Sequence, residues 1–166
     1  MIVADTNILS TFARIQRLEL LPAVAETDVF YLPPSVVKEL QAGLRQGLNF
    51  LQPMVDGLAS GAGFYAVELT AEEKSFVDTL PTSLNAGEKE SIAVCALRAG
   101  GKLLTNDKRA HNYCRDNRIP SLDLKLVLRR LWQAGHCTKE EVRRLMETIE
   151  VSEPGMVIKG KDEILR

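Results

Sequence analysis

Two acids from opposite halves of the chain stand in the same local setting. Asp5 follows the short apolar run Ile2-Val3-Ala4, and Asp107 follows Leu103-Leu104-Thr105-Asn106. Three- to five-residue apolar runs of this kind, alternating with longer helical stretches, predict a parallel sheet with helices on both faces. In such a sheet every strand ends on one edge, and each connecting helix starts on that same edge. Acids that close a strand or open a helix are therefore expected to meet at that edge, where open α/β folds bind ligands. Carboxylates gathered there repel one another, and a divalent cation relieves the repulsion.

The pattern predicts strands near 2–4, 29–32, 64–68, 102–105 and 119–121. Helices are expected near 7–17, 35–46, 48–59, 71–80, 86–100, 108–117 and 122–134. Ser35 is the expected N-cap of the second helix, after Pro33-Pro34, and Val36, Leu40 and Leu44 give that helix an apolar stripe. Asn85 and Glu88 have capping-box spacing ahead of the apolar stretch Ser91 to Ala99, which Gly100-Gly101 would close. Thr138 and Glu141 form a second such pair and open a tail helix to about Glu150. A short strand is expected at Met156–Lys159. The fold class is thus a three-layer α/β/α sandwich with a central parallel sheet and a C-terminal helical extension. The expected division is residues 1–137 as the main domain and 138–166 as an extension packed on it.

With 166 residues, the chain has the length of one domain with a substantial core. No apolar run approaches the roughly 20 residues needed to span a bilayer, so no membrane partner is expected. The three cysteines, Cys95, Cys114 and Cys137, are widely spaced and form no C-x-x-C. That usage fits a reducing cytoplasm rather than a disulfide framework or a zinc site. Net charge is −1, but its distribution is uneven. Residues 1–100 hold twelve acids and seven bases, whereas residues 101–130 hold eight bases and three acids. An acidic cluster beside a basic segment suits a polyanion held by bases; a solvated helical face is the alternative.

Five acids are candidate ligands. Asp5 either caps the next helix or faces the cleft, with Asn7 and Thr6 placed to orient it. Glu39 borders the Val36/Leu40 stripe rather than the polar face; an exposed Glu near a helix start is the plainer reading. Glu88 and Glu90 are two residues apart on a helix and point about 200° apart. Glu88 has a structural role available in the capping box. Glu90 heads the Ala93/Val94/Leu97 stripe and is ranked first as the inward ligand, with Glu88 kept beside it. Asp107 is either a helix cap or a ligand, with Thr105 able to bond a carboxylate or a phosphate. Asp116 and Asp123 are weaker candidates. His111 and Cys114 have H-x-x-C spacing, but two ligands do not make a zinc site. No glycine-rich phosphate loop is present.

Together, Asp5-Thr6-Asn7 after the first strand, Pro34-Ser35-Val36-Val37-x-Glu39-Leu40, Gly87-Glu88-x-Glu90-Ser91-Ile92-Ala93 and Leu104-Thr105-Asn106-Asp107 resemble the PIN-domain ribonucleases, the family that includes VapC-type toxins. The resemblance covers about residues 1–134. It implies a PIN-like fold and a metal-dependent endoribonuclease that hydrolyses RNA phosphodiester bonds, with toxin of a toxin–antitoxin pair as one role. Carried over, Asp5, Glu39, Glu90 and Asp107 would be the catalytic acids. The same four and Glu88 would hold Mg²⁺ or Mn²⁺, supported by Asn7 and Thr105. Lys108, Arg109 and Arg115 would hold RNA. Implied partners are RNA, an antitoxin protein and a second copy of the chain. Where many members have Asp at the third position, this chain has Glu. Where many have another Asp just after the fourth acid, it has Lys108-Arg109, and one or two ions remain open. Competing readings are a non-catalytic PIN-fold binding protein and an aspartyl-phosphate phosphatase or receiver domain. Against the phosphatase, Asn7 stands where a second Asp is usual. Against the receiver, the third strand, Ala66-Val67-Glu68-Leu69, has no Asp at its end.

Overall fold

Backbone pairing in the computed structural model, which describes all of residues 1–166, joins five short strands into one parallel sheet. They are β1 (Ile2–Ala4), β2 (Phe30–Leu32), β3 (Phe64–Ala66), β4 (Lys102–Leu104) and β5 (Ser121–Leu122), in the order β3-β2-β1-β4-β5. The chain builds outward from β1 through β2 to β3, then returns to β1's other side with β4 and β5. β1 and β4 pair in register, Ala4 against Leu104, so the order reverses between them. At such a reversal the connections leave in opposite directions and open a crevice beyond the strand ends.

Alternation along the central strands sets the two faces. Ile2, Ala4 and Leu104 enter a core cluster of 29 buried residues, while Val3 and Leu103 enter a second of 10. The larger core lies under helices α1 (Thr6–Arg14), α2 (Leu20–Ala25), α3 (Pro34–Arg45) and α4 (Gln52–Ser60). It also holds α8 (Leu124–Gln133), α9 (Lys139–Ser152) and α10 (Lys161–Ile164). The smaller core holds α6 (Ala86–Leu97) and α7 (Lys108–Asp116), with α5 (Ala71–Thr79) beside them. The architecture is the three-layer α/β/α sandwich expected from the alternation of elements. No helix is long and apolar enough to cross a membrane.

Several boundaries depart from the pattern. The expected helix over 7–17 stops at Arg14, and α2 follows as a separate helix. Pro22 sits in the first turn of α2, where backbone N–H groups have no partner in the helix, so it does not break it. The expected helix over 48–59 begins as a 3₁₀ turn, Asn49–Leu51, before α4. Ser35 is not the cap of α3: Pro33 holds that position and Pro34 starts the helix. α6 ends at Leu97 rather than at the glycine pair. Gly101 is needed by close approach instead, since a Cβ there would lie 2.7 Å from Cys95 backbone atoms. The last strand is displaced to Ser121–Leu122 because the N–H of Ile119 donates to Cys114 and closes α7.

Residues 156–159 form no strand. The N–H of Ile158 donates to the Glu150 carboxylate at 2.8 Å, and Lys161 pairs with that carboxylate at 2.6 Å. These bonds turn the segment back against α9. In α9, Val142, Leu145, Met146 and Ile149 are buried within the larger core. The Trp132 indole N–H donates to Ile164 and tethers α10. Met146→Ala is expected to lower the unfolding free energy by about 2–5 kcal/mol. Urea unfolding should keep one cooperative transition, because the tail and the sheet share one core.

Candidate active site

The pairing of β1 with β4 continues one residue beyond the strands, where the N–H of Asp5 donates to Leu104 at 3.0 Å. Asp5 is thereby fixed beside Thr105. The Asp5 carboxylate, 3% exposed, accepts the N–H of Ile8 at 3.0 Å and so caps α1. Its other oxygen accepts the Thr105 hydroxyl. That hydroxyl oxygen accepts the N–H of Asp107 at 3.0 Å. One buried threonine therefore ties together the two acids from the ends of β1 and β4. Asp107 caps α7, accepting the N–H groups of Arg109 at 2.7 Å and Ala110 at 3.0 Å.

Glu88 approaches from the head of α6. It closes a capping box with Asn85, whose side chain accepts the Glu88 N–H at 2.8 Å. The Glu88 carboxylate in turn accepts the Asn85 N–H at 3.0 Å and side-chain amide at 2.9 Å. Glu39, on α3, accepts the Thr6 hydroxyl at 2.5 Å. Gly87 lets α6 come close to α3: a Cβ there would lie 3.1 Å from Glu39 Oε1 and 3.2 Å from Val36. Asp5, Glu39 and Glu88 line a narrow cleft of about 10 Å³, with Asn7 at its rim. That is room for about one water-sized species. Asn7 also lines a neighbouring cleft of about 360 Å³ that contains Asp107, Arg14 and Glu153.

Glu90, the acid expected to point inward, lies elsewhere. Its carboxylate accepts the Ser35 N–H and the Ser35 hydroxyl, each at 2.7 Å, and so fastens the head of α3 to α6. It lines a separate cleft of about 610 Å³ with Glu68, Lys74 and Asp78. The two-residue offset that separates the acids on the helix puts Glu88 with Asp5 and Glu90 with Ser35. Capping did not remove Glu88 from the cleft, because a carboxylate has lone pairs beyond those the cap uses.

Burial pushes the Asp5 carboxyl up from 3.8 to about 7, with the charges of Glu88 and Asp107 adding to the rise. Burial also raises Glu88, again with Asp107 and Glu39 nearby. The principal compensating cation is Arg109, 3.5 Å from Asp107 and 3.9 Å from Glu88. Lys108 and Arg115 are exposed on α7, and Arg115 pairs with Asp116 at 2.9 Å. Asp123 caps α8 through the Leu126 N–H, and His111 contacts Ser121 at 3.0 Å. Asn85, Gly87 and Glu153 were not among the expected site residues. A glycine in the first turn of a helix, beside a capping pair, was the available signal for the first two.

A family model described as a PIN domain matches residues 1–159. The chain belongs to the PIN-domain family. No curated protein matches the sequence. PIN domains are generally nucleases and typically use divalent metal ions. In this PIN domain the match runs through α9, the helix that completes the larger core.

The donors at the crevice suit a hard divalent cation: four carboxylates and the Asn7 amide, with no sulfur or imidazole. No three acid, imidazole or thiol side chains are gathered tightly enough to form a finished coordination sphere. Each acid is instead turned onto hydrogen bonds of its own chain. The fit rests on the cost of burying Asp5 and Glu88, to which the charges of the neighbouring acids add, and on the close approach to Glu39 that Gly87 allows.

Between about pH 4 and pH 7 an unfolded Asp5 has lost its proton while the folded one retains it. The folded state binds more protons there, so stability falls as pH rises through that window. Without divalent ions, Asp5→Asn is expected to melt above the wild type at about pH 8, with the gap closing towards about pH 4. Calorimetric melting temperatures across that range check this, and Glu88 should leave a residual slope of the same sign.

Proposed function

We propose that this PIN domain is a metal-dependent endoribonuclease that hydrolyses RNA phosphodiester bonds. The observation that carries the reading is the Asp5–Thr105–Asp107 linkage at the β1/β4 reversal, with Glu88 and Glu39 facing it. Asp5, Glu39, Glu88 and Asp107 would hold Mg²⁺ or Mn²⁺. A bound ion of this kind supplies a water of lowered pKa and polarises a phosphoryl oxygen.

The chain's own groups do the positioning. Thr105 donates to Asp5 and so holds one carboxylate oxygen in place, leaving lone pairs directed at the crevice. Asn85 does the same for Glu88, and Thr6 for Glu39. Asn7, at the rim, would offer its amide to a phosphate oxygen of the substrate. Arg109, beside Asp107, and Lys108 and Arg115, on the same helix, would offer cations to the phosphate backbone, and such contacts make binding fall with salt. Arg109, which stands 3.5 Å from Asp107 and 3.9 Å from Glu88, would also meet the substrate phosphate. Glu90 has no part in the reaction on this reading; it braces α3.

A second reading, a PIN scaffold that binds without cutting, draws on the internal hydrogen bonds that already engage each acid. Titration calorimetry with Mn²⁺ separates the two, since the scaffold would take up no ion.

Asp5→Asn or Asp107→Asn is expected to abolish EDTA-sensitive cleavage of RNA while the circular dichroism spectrum stays unchanged. Full activity in either variant rejects the assignment. Thr105→Val should weaken Mn²⁺ binding about 10–100-fold by freeing the carboxylate it orients. Glu90→Gln should keep the cleavage rate and lower stability by about 1–3 kcal/mol. Loss of cleavage in a folded Glu90→Gln would return Glu90 to the ligand set.

A further inference from the structure

A second basin opens beside the acid crevice, walled by α7, the head of α8 and the tail segment 156–159. Its volume is about 440 Å³, within the roughly 300–1,000 Å³ of small-ligand clefts. Lys108 and Arg115 reach it from α7, Lys125 from α8 and Lys159 from the tail. Lys161 is the one lysine of the chain with a carboxylate partner, so Lys108, Lys125 and Lys159 have none. Asp123 is the one acid lining the basin, and its carboxylate is committed to the Leu126 N–H at 2.8 Å, with His111 4.0 Å away. The basin therefore carries a net positive field: Lys108, Lys125 and Lys159 are unpaired, Arg115 is paired with Asp116, and Asp123 is the one negative charge in the lining.

Two further observations select the occupant. The basin shares Asn106 and Met156 with the cleft that contains Asp107, so a strand held in one continues into the other. Met156 and Val157, the latter 69% exposed, give it an apolar wall. Cations on one side and apolar surface on the other match a nucleotide, which carries a charged phosphate and an apolar base face. Glu150 holds the tail wall in place through Ile158 and Lys161.

We propose that this basin binds the single-stranded RNA flanking the scissile phosphodiester, with Lys125 and Lys159 as phosphate ligands. The tail beyond α9 is then part of the substrate groove. The proposal rests on the nuclease reading for the identity of the polyanion.

The test uses the full chain and a short labelled single-stranded RNA in EDTA, so that nothing is cut. K125Q/K159Q is compared with K139Q/R143Q, which removes the same charge from α9. The basin variant should bind about tenfold more weakly. Its plot of log affinity against log salt should flatten by about 1.4, at roughly 0.7 for each phosphate no longer neutralised. Retained Mn²⁺ binding and circular dichroism confirm that it is folded. Unchanged affinity and slope, or an equal loss in K139Q/R143Q, overturns the basin while RNA cleavage by the wild type leaves the nuclease reading standing. If the wild type neither binds nor cuts RNA, both fall. Tighter binding of the matching DNA strand than of RNA also overturns the assignment.

Discussion

The Thr105 hydroxyl is the hinge of the whole arrangement. It donates to Asp5 and accepts the N–H of Asp107, and it is fully buried between the ends of β1 and β4. The in-register pairing of those strands brings it there, and their pairing follows from apolar residues that fill both faces of the sheet. Without the close β1–β4 contact the two acids would belong to separate loops. With it, the crevice at the sheet reversal acquires a fixed pair of carboxylates, and α3 and α6 bring two more towards them.

Most of the site's acids have a second occupation. Asp5 and Asp107 cap helices, Glu88 closes a capping box and Glu39 receives Thr6. Capping fixes three of the four carboxylates, those of Asp5, Glu88 and Asp107, without a dedicated scaffold, because the orphan N–H groups of a helix start need an acceptor anyway. It also keeps the burial of negative charge tolerable while Asp5 and Glu88 remain under electrostatic stress. On the proposed reading, a bound cation would offset the cost of burying these carboxylates, and the hydrogen bonds would set their direction.

Much of the fold was legible because strand and helix periods are local. Runs such as Ile2-Val3-Ala4 and Leu103-Leu104 cannot be solvated on either face, and the capping pairs Asn85/Glu88 and Thr138/Glu141 mark helix starts by chemistry alone. The choice between Glu88 and Glu90 was not local. The expectation favoured Glu90 because it headed an apolar stripe, yet that direction leads to Ser35 on α3. Ser35 looked like a cap because it follows Pro33-Pro34 at the start of a helix; the packing of α3 against α6 turns it into a partner for Glu90. The tail segment 156–159 has strand-like composition, but Glu150 takes its N–H and bends it towards the basin.

By itself, the sequence determined the alternating elements and the positions of acids at strand ends and helix starts, since these depend on residues within a few positions of one another; the alternation in turn implies the parallel sheet. The tertiary structure decided which acids face each other, what fastens α3 to α6, and that the tail walls a cationic basin next to Asp107. Those outcomes depend on the crossing of helices and on side chains far apart in sequence. No local periodicity encodes the direction in which two helices present their first turns to each other.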